Sequence, residues 1–129
     1  MLNDALANTL SIFRTYEKLG KRECLVNPVS KVTKEVLRIL QDSRYIGAFE
    51  EVTPARGGLF KVNLIGAINK CGVIKPRLAV KLANFEKFEK RSLPAKGVGI
   101  LIVSTPHGMI THEAAKQKGV GGRLIAYCY

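Results

Sequence analysis

The sequence predicts an α+β protein, an N-terminal αβαββ lobe over residues 1–66 packed against a mostly β C-terminal lobe with short helices over residues 67–129. Three patterns lead there. Apolar residues recur at helical spacing in two early stretches, Leu6, Leu10 and Phe13, then Val32, Val36, Ile39 and Leu40. Phe60, Val62 and Leu64 alternate with Lys61 and Asn63, the period of a half-buried strand. Near the end, the unbroken apolar run Ile100-Leu101-Ile102-Val103 stops at Ser104-Thr105-Pro106, as a strand inside a sheet does where it meets a polar turn.

In chain order, Asn3 or Asp4 caps the first helix and Gly20 stops it. A short strand over residues 23–26 is ended by Asn27-Pro28, and Ser30 is the N-cap expected for the second helix. Lys31, Lys34 and Arg38 fall off that helix's buried stripe and leave it one greasy and one basic face. Residues 45–52 are rich in β-formers, and residues 54–58 (Pro-Ala-Arg-Gly-Gly) make the turn into the Phe60 strand. Two helices thus cover one face of a small antiparallel or mixed sheet whose other face is left to water. Residues 73–82 interleave Lys75, Arg77 and Lys81 with Ile74, Leu78 and Val80, which predicts a strand with a cationic face. Phe85 and Phe88, three apart, predict one or two helical turns closed by Leu93-Pro94. After a loop over residues 95–98 comes the buried strand, then a polar turn and a short helix. That helix has Thr111 as N-cap, Glu113 in its first turn, Lys116 and Lys118 in its last, and Gly119 as the left-handed stop. A glycine turn leads to the final strand.

The 129 residues, 47% of them hydrophobic, suffice for one core or two small lobes sharing one. Net charge is +11, a surplus that implies a polyanionic partner, nucleic acid first. Residues 1–66 hold 10 basic and 7 acidic side chains and the remainder 11 and 3, so the positive field belongs mainly to the C-terminal half. Cys24, Cys71 and Cys128 show no CxxC spacing and read as reduced core thiols of a cytoplasmic protein. No apolar run approaches the roughly 20 residues that span a bilayer, and Met1-Leu2 leads straight into helical pattern, so neither a membrane partner nor a signal peptide is expected.

Ser104, Thr105, His107, His112 and Glu113 bring a hydroxyl, an imidazole and a carboxylate close together in sequence. A hydrolase-like enzyme with Ser104 as nucleophile and His107 or His112 as base is therefore the alternative reading. Against it, Ile102 and Val103 precede Ser104 where a nucleophile elbow needs GxSxG. The two histidines lack a third ligand at matching spacing, so no metal is expected, and no cofactor or small-molecule substrate is implied. Gly119, Gly121 and Gly122 fit two compatible roles, a helix stop with a tight turn into an edge strand, and a close approach to a phosphate backbone. There is no zinc finger, no leucine zipper and no RNP-type aromatic strand. What remains is a basic surface and a rigid strand end offering hydroxyls, which suits irregular RNA with reachable bases and 2′-hydroxyls. A regulator binding DNA or messenger RNA through the same surface is the third reading.

Four segments carry a resemblance: Val103-Ser104-Thr105-Pro106-His107-Gly108, the tail from Gly121-Gly122-Arg123 to Tyr129, Pro28-Val29-Ser30-Lys31 and Asp4-Ala5-Leu6-Ala7-Asn8. Collinear over essentially the whole chain, they resemble the universal small-subunit ribosomal protein S8 family, and the length of residues 85–94 resembles its archaeal and eukaryotic branch. The resemblance implies a non-catalytic protein of the cytoplasmic ribosome, neighbouring other small-subunit ribosomal proteins. It would bind the central domain of small-subunit ribosomal RNA (rRNA) early in assembly and hold a helical junction in shape. It also implies RNA contacts for Ser104 and Thr105, backbone contacts for Ser30 and Lys31, and close approach at Gly121 and Gly122. Bacterial members carry a third hydroxyl where this chain has Pro106, which shifts that contact toward His107 or Thr111.

Overall fold

The structure is a computed structural model describing residues 5–26, 31–53, 59–74, 79–95 and 98–129. The chain is α+β and forms two compact units, Met1–Cys71 and Gly72–Tyr129. In the first, α1 (Ala5–Lys18) buries Leu6, Leu10 and Phe13, the residues its periodicity singled out. Gly20, at φ +75°, closes it: the N–H groups of Gly20 and Lys21 donate to the carbonyls of Glu17 and Tyr16 at 3.1 and 2.9 Å. Strand β1 (Glu23–Val26) alternates exposed Glu23 and Leu25 with buried Cys24 and Val26. Helix α2 (Lys31–Asp42) and strands β2 (Ile46–Thr53) and β3 (Leu59–Leu64) complete the αβαββ order, with the strands antiparallel in the order β1-β3-β2. α1 packs on β1, α2 on β2, and the helices on each other. The proposed caps Asn3, Asp4 and Ser30 and the turn at 54–58 lie outside the described residues.

The buried stripe of α2 differs from the expected one. Thr33, Val36, Leu37, Ile39 and Leu40 are buried and Val32 is only half-buried, because the face centres on the 33-36-37-40 row of a 3.6-residue period. The helix ends on Arg44 in the left-handed region at φ +65°, with the Tyr45 N–H donating to Leu40 O at 2.9 Å. A side chain there is strained, so Arg44→Gly is expected to raise stability by about 1 kcal/mol, read as a higher urea midpoint. An unchanged midpoint would mean the arginine is held there at no cost.

All three cysteines are buried thiols outside any disulfide. Burial, and then the Glu17 carboxylate, push the Cys24 thiol up to about 11, so it stays protonated at neutral pH and has little reactivity.

The second unit is built on a five-stranded sheet in the order β4-β8-β6-β7, with β5 also on β8, from β4 (Cys71–Val73), β5 (Ala79–Val80), β6 (Ile100–Thr105), β7 (Gly108–Thr111) and β8 (Gly122–Cys128). A 3-10 turn (Leu82–Asn84) leads into α3 (Phe85–Ser92), and α4 (His112–Lys118) packs on β6 and β7. Val80, Phe85, Leu93, Leu101, Val103, Ala115 and Leu124 form its core. The cationic strand expected at 73–82 is not continuous: β4 stops at Val73, residues 75–78 lie outside the described set, and Leu82 already belongs to the 3-10 turn. Nor is β8 an edge strand, since it lies between β6 on one side and β4 with β5 on the other. The caps of α4 match their expected residues, with Thr111 Oγ1 accepting from the Ala114 N–H at 3.2 Å and Gly119 left-handed at φ +69°.

Candidate nucleic-acid interface

The stretch expected as a polar turn is a tight β-hairpin. β6 runs on through Ser104 and Thr105, and β7 returns at once, Thr105 opposite Gly108 and Ser104 opposite Met109. Pro106 and His107 form the tip. Proline fixes φ near −65° at the first turn position, and Gly108, at φ +106°, lets the chain re-enter the ladder. Thr105 locks the turn: its hydroxyl accepts from the His107 N–H at 3.1 Å and donates to the Gly108 carbonyl at 2.7 Å. It is 9% exposed.

Consecutive strand residues point to opposite faces, so the two hydroxyls part company. Thr105 lies on the Leu101 and Val103 side, while Ser104 shares the other face with the residues directly opposite it, Met109 on β7 and Arg123 on β8. Ser104 is half-buried and no hydrogen bond to its hydroxyl is found among the described residues; Arg123 beside it is exposed. The structure therefore adds Arg123, which sequence reasoning passed over. Its neighbourhood depends on the register of β8, which shifts between Ile102 and Val103. The only hint in the sequence is an arginine immediately after two glycines. His107 and Pro106 are exposed at the tip, and Thr111, half-buried, uses its hydroxyl as the α4 cap.

Gly121 and Gly122 answer first to the sheet. A Cβ on Gly122 would stand 2.2 Å from the Ser104 carbonyl oxygen and 2.9 Å from Val103 Cγ1, and one on Gly121 would stand 2.4 Å from the Val80 carbonyl oxygen. Both are glycine because neighbouring backbone occupies the space.

A buried network stands behind the hairpin. His112, 3% exposed, accepts the Leu101 N–H at Nδ1 (3.1 Å) and faces Glu89 Oε1 with Nε2 at 3.2 Å; Lys116 Nζ pairs with the same carboxylate oxygen. Burial is the main reason the His112 pKa is lowered, so the ring is neutral at pH 7 with its proton on Nε2. Both nitrogens are committed, so His112 has no lone pair free to take a proton from a serine. The hydrolase reading loses His112 as its base.

In the first unit Lys31 and Lys34 are exposed, with Lys34 Nζ 5.7 Å from the centre of the Phe60 ring, a cation–π contact. Ser30 lies outside the described residues. Compared with known families, the chain matches the family model of ribosomal protein S8 over residues 4–129.

Proposed function

The chain belongs to the ribosomal protein S8 family, and we propose that it binds the central domain of small-subunit rRNA during assembly and holds a helical junction there. Members of this family are structural rRNA-binding proteins of the small ribosomal subunit, working in translation and not as enzymes. On our reading the lobe over residues 67–129 supplies specificity through the β6–β7 hairpin. The lobe over residues 1–66 adds backbone contacts from Ser30, Lys31 and Lys34 beside other ribosomal proteins. The length of residues 85–94, which hold α3, supports the archaeal and eukaryotic branch, and three buried thiols outside any disulfide support a cytoplasmic ribosome.

The observation that supports this reading best is the row Met109–Ser104–Arg123. A hydroxyl with no hydrogen bond among the described residues sits between a thioether and an exposed guanidinium, all three on strands. The hydroxyl can donate to or accept from a base edge or 2′-hydroxyl, and the guanidinium can take a phosphate bidentately. Thr105, with Pro106 presetting the turn, fixes where His107 stands, and Gly121 and Gly122 bring β8 close enough to place Arg123. Ser104→Ala is expected to weaken binding to a central-domain rRNA fragment by about 1–2 kcal/mol, roughly 5- to 30-fold, with unchanged thermal stability. Lys31→Gln is expected to lower the salt slope of binding by about one without changing the preference for that fragment over duplex DNA. Filter binding across a potassium chloride series measures both. An unaltered affinity of the Ser104 variant, or equal affinity of the parent protein for duplex DNA, would refute the assignment.

A further inference from the structure

The first unit carries a groove that the hairpin reading does not use. It runs along the exposed side of α1's second half, with a volume of about 860 Å³, and the segment 66–70 forms its other wall. That wall is fixed by Glu17, whose Oε2 accepts the Ile68 N–H at 3.0 Å. Arg14, Lys18 and Lys70 line the groove, and Lys21 and Arg22 line an adjoining one that shares Glu17 and Gly66 with it. Five cations thus line two adjoining grooves that share one carboxylate, which already accepts a backbone hydrogen bond.

Among the described residues, no structural duty within the unit explains these cations. The carbonyls at the end of α1 are met by the backbone N–H groups of Leu19, Gly20 and Lys21, so Lys18 is not needed as a cap. The ion pairs seen in this unit among the described residues lie elsewhere, Arg38 with Glu35 at 2.5 Å and Lys61 with Glu23 at 3.3 Å. A cluster of like charges raises the local positive potential at the cost of its own repulsion. Its polar lining, with lysine prominent, is unlike the apolar, lysine-poor centre of a protein–protein interface and like a surface that follows phosphates.

We propose that the groove formed by α1 and residues 66–70 is a separate RNA-backbone contact, in which Arg14, Lys18 and Lys70 neutralise phosphates of an rRNA segment other than the one read by the hairpin. The inference rests on the rRNA-binding reading above. Its contact is electrostatic and carries no base readout, so it sets affinity and salt dependence and leaves specificity to Ser104 and Arg123.

The test compares the full-length protein, the triple variant R14Q/K18Q/K70Q and Ser104→Ala on one central-domain rRNA fragment from about 50 to 300 mM potassium chloride. The triple variant is expected to lower the slope of log K against log salt by about two to three. Its affinity near physiological salt is expected to fall roughly tenfold or more. Its preference for the fragment over duplex DNA should stay intact, as should its melting temperature, since all three side chains are exposed. A slope changed by less than about one, with Ser104→Ala still impaired, would overturn this groove contact alone and turn attention to an acidic protein neighbour. A parent protein with no preference for the fragment would overturn both the groove contact and the reading on which it rests.

Discussion

Gly122→Ala is expected to cost about 3 kcal/mol or more and to lower the urea midpoint sharply. The added carbon would lie 2.2 Å from the Ser104 carbonyl oxygen and 2.9 Å from Val103 Cγ1, where ordinary contact needs more than 3 Å. Neither neighbour yields easily. One is the backbone of a central strand, and the other a fully buried side chain of the unit's core. β8 would have to retreat from β6 by roughly an ångström, which places the substitution at the upper end of the overpacking penalty. Gly119 is the control. It has a positive φ and open space around its Cβ position, so Gly119→Ala should cost only about 1 kcal/mol of backbone strain. Equal losses for the two variants would show that β8 can shift freely. The same retreat breaks the pairing of Ser104 with Arg123, so the fraction of Gly122→Ala that still folds is expected to bind rRNA more weakly as well.

This example marks how far the sequence alone could be read. Regularities that repeat within a few residues were legible: the 3.6 period of α1, the alternation of β3, the Thr111 and Gly119 caps of α4, and the unbroken apolar run of β6. Each is imposed by the local backbone, so local spacing reveals it. Strand β7 escaped because Gly108-Met109-Ile110-Thr111 shows no alternation of buried and exposed residues; it is a strand through its pairing with β6. The separation of Ser104 from Thr105 follows from the strand continuing past Val103, where hydroxyls and a proline suggested that it ended. Arg123 beside Ser104, and Glu89 beside His112, are products of register and tertiary packing across long stretches of chain. No window of sequence contains either pair.

The Glu89 network leads to the second large effect. Glu89, only 7% exposed, accepts from Lys116 and faces His112 Nε2 at 3.2 Å, and so ties α3 to α4 behind β6. Glu89→Ala leaves a buried Nε2–H without an acceptor and Lys116 without its counter-ion. The expected loss is about 2–3 kcal/mol, held below the full price of a broken buried pair because Lys116 is 40% exposed and can turn to water. The network also fixes the sign of a pH dependence. His112 faces Glu89 from α3 and Lys116 and Glu113 from α4, with burial the largest influence and the net effect a lowered pKa. The unfolded chain, with an ordinary histidine pKa near 6.5, therefore takes up the proton before the folded one does. The stability that the neutral ring provides is complete above about pH 7 and is lost as pH falls from about 6.5 toward the folded value, by at most about 1.4 kcal/mol per pH unit. Protonation would also turn Nδ1 into a donor facing the Leu101 N–H, two donors with no acceptor between them. His112→Gln can keep both bonds, with its carbonyl toward Leu101 and its amide toward Glu89. It is expected to fold with a stability profile flat through this window. Urea titrations from pH 7.5 to 5 on the parent and the variant decide the matter, and a slope that survived in His112→Gln would place the titrating group elsewhere.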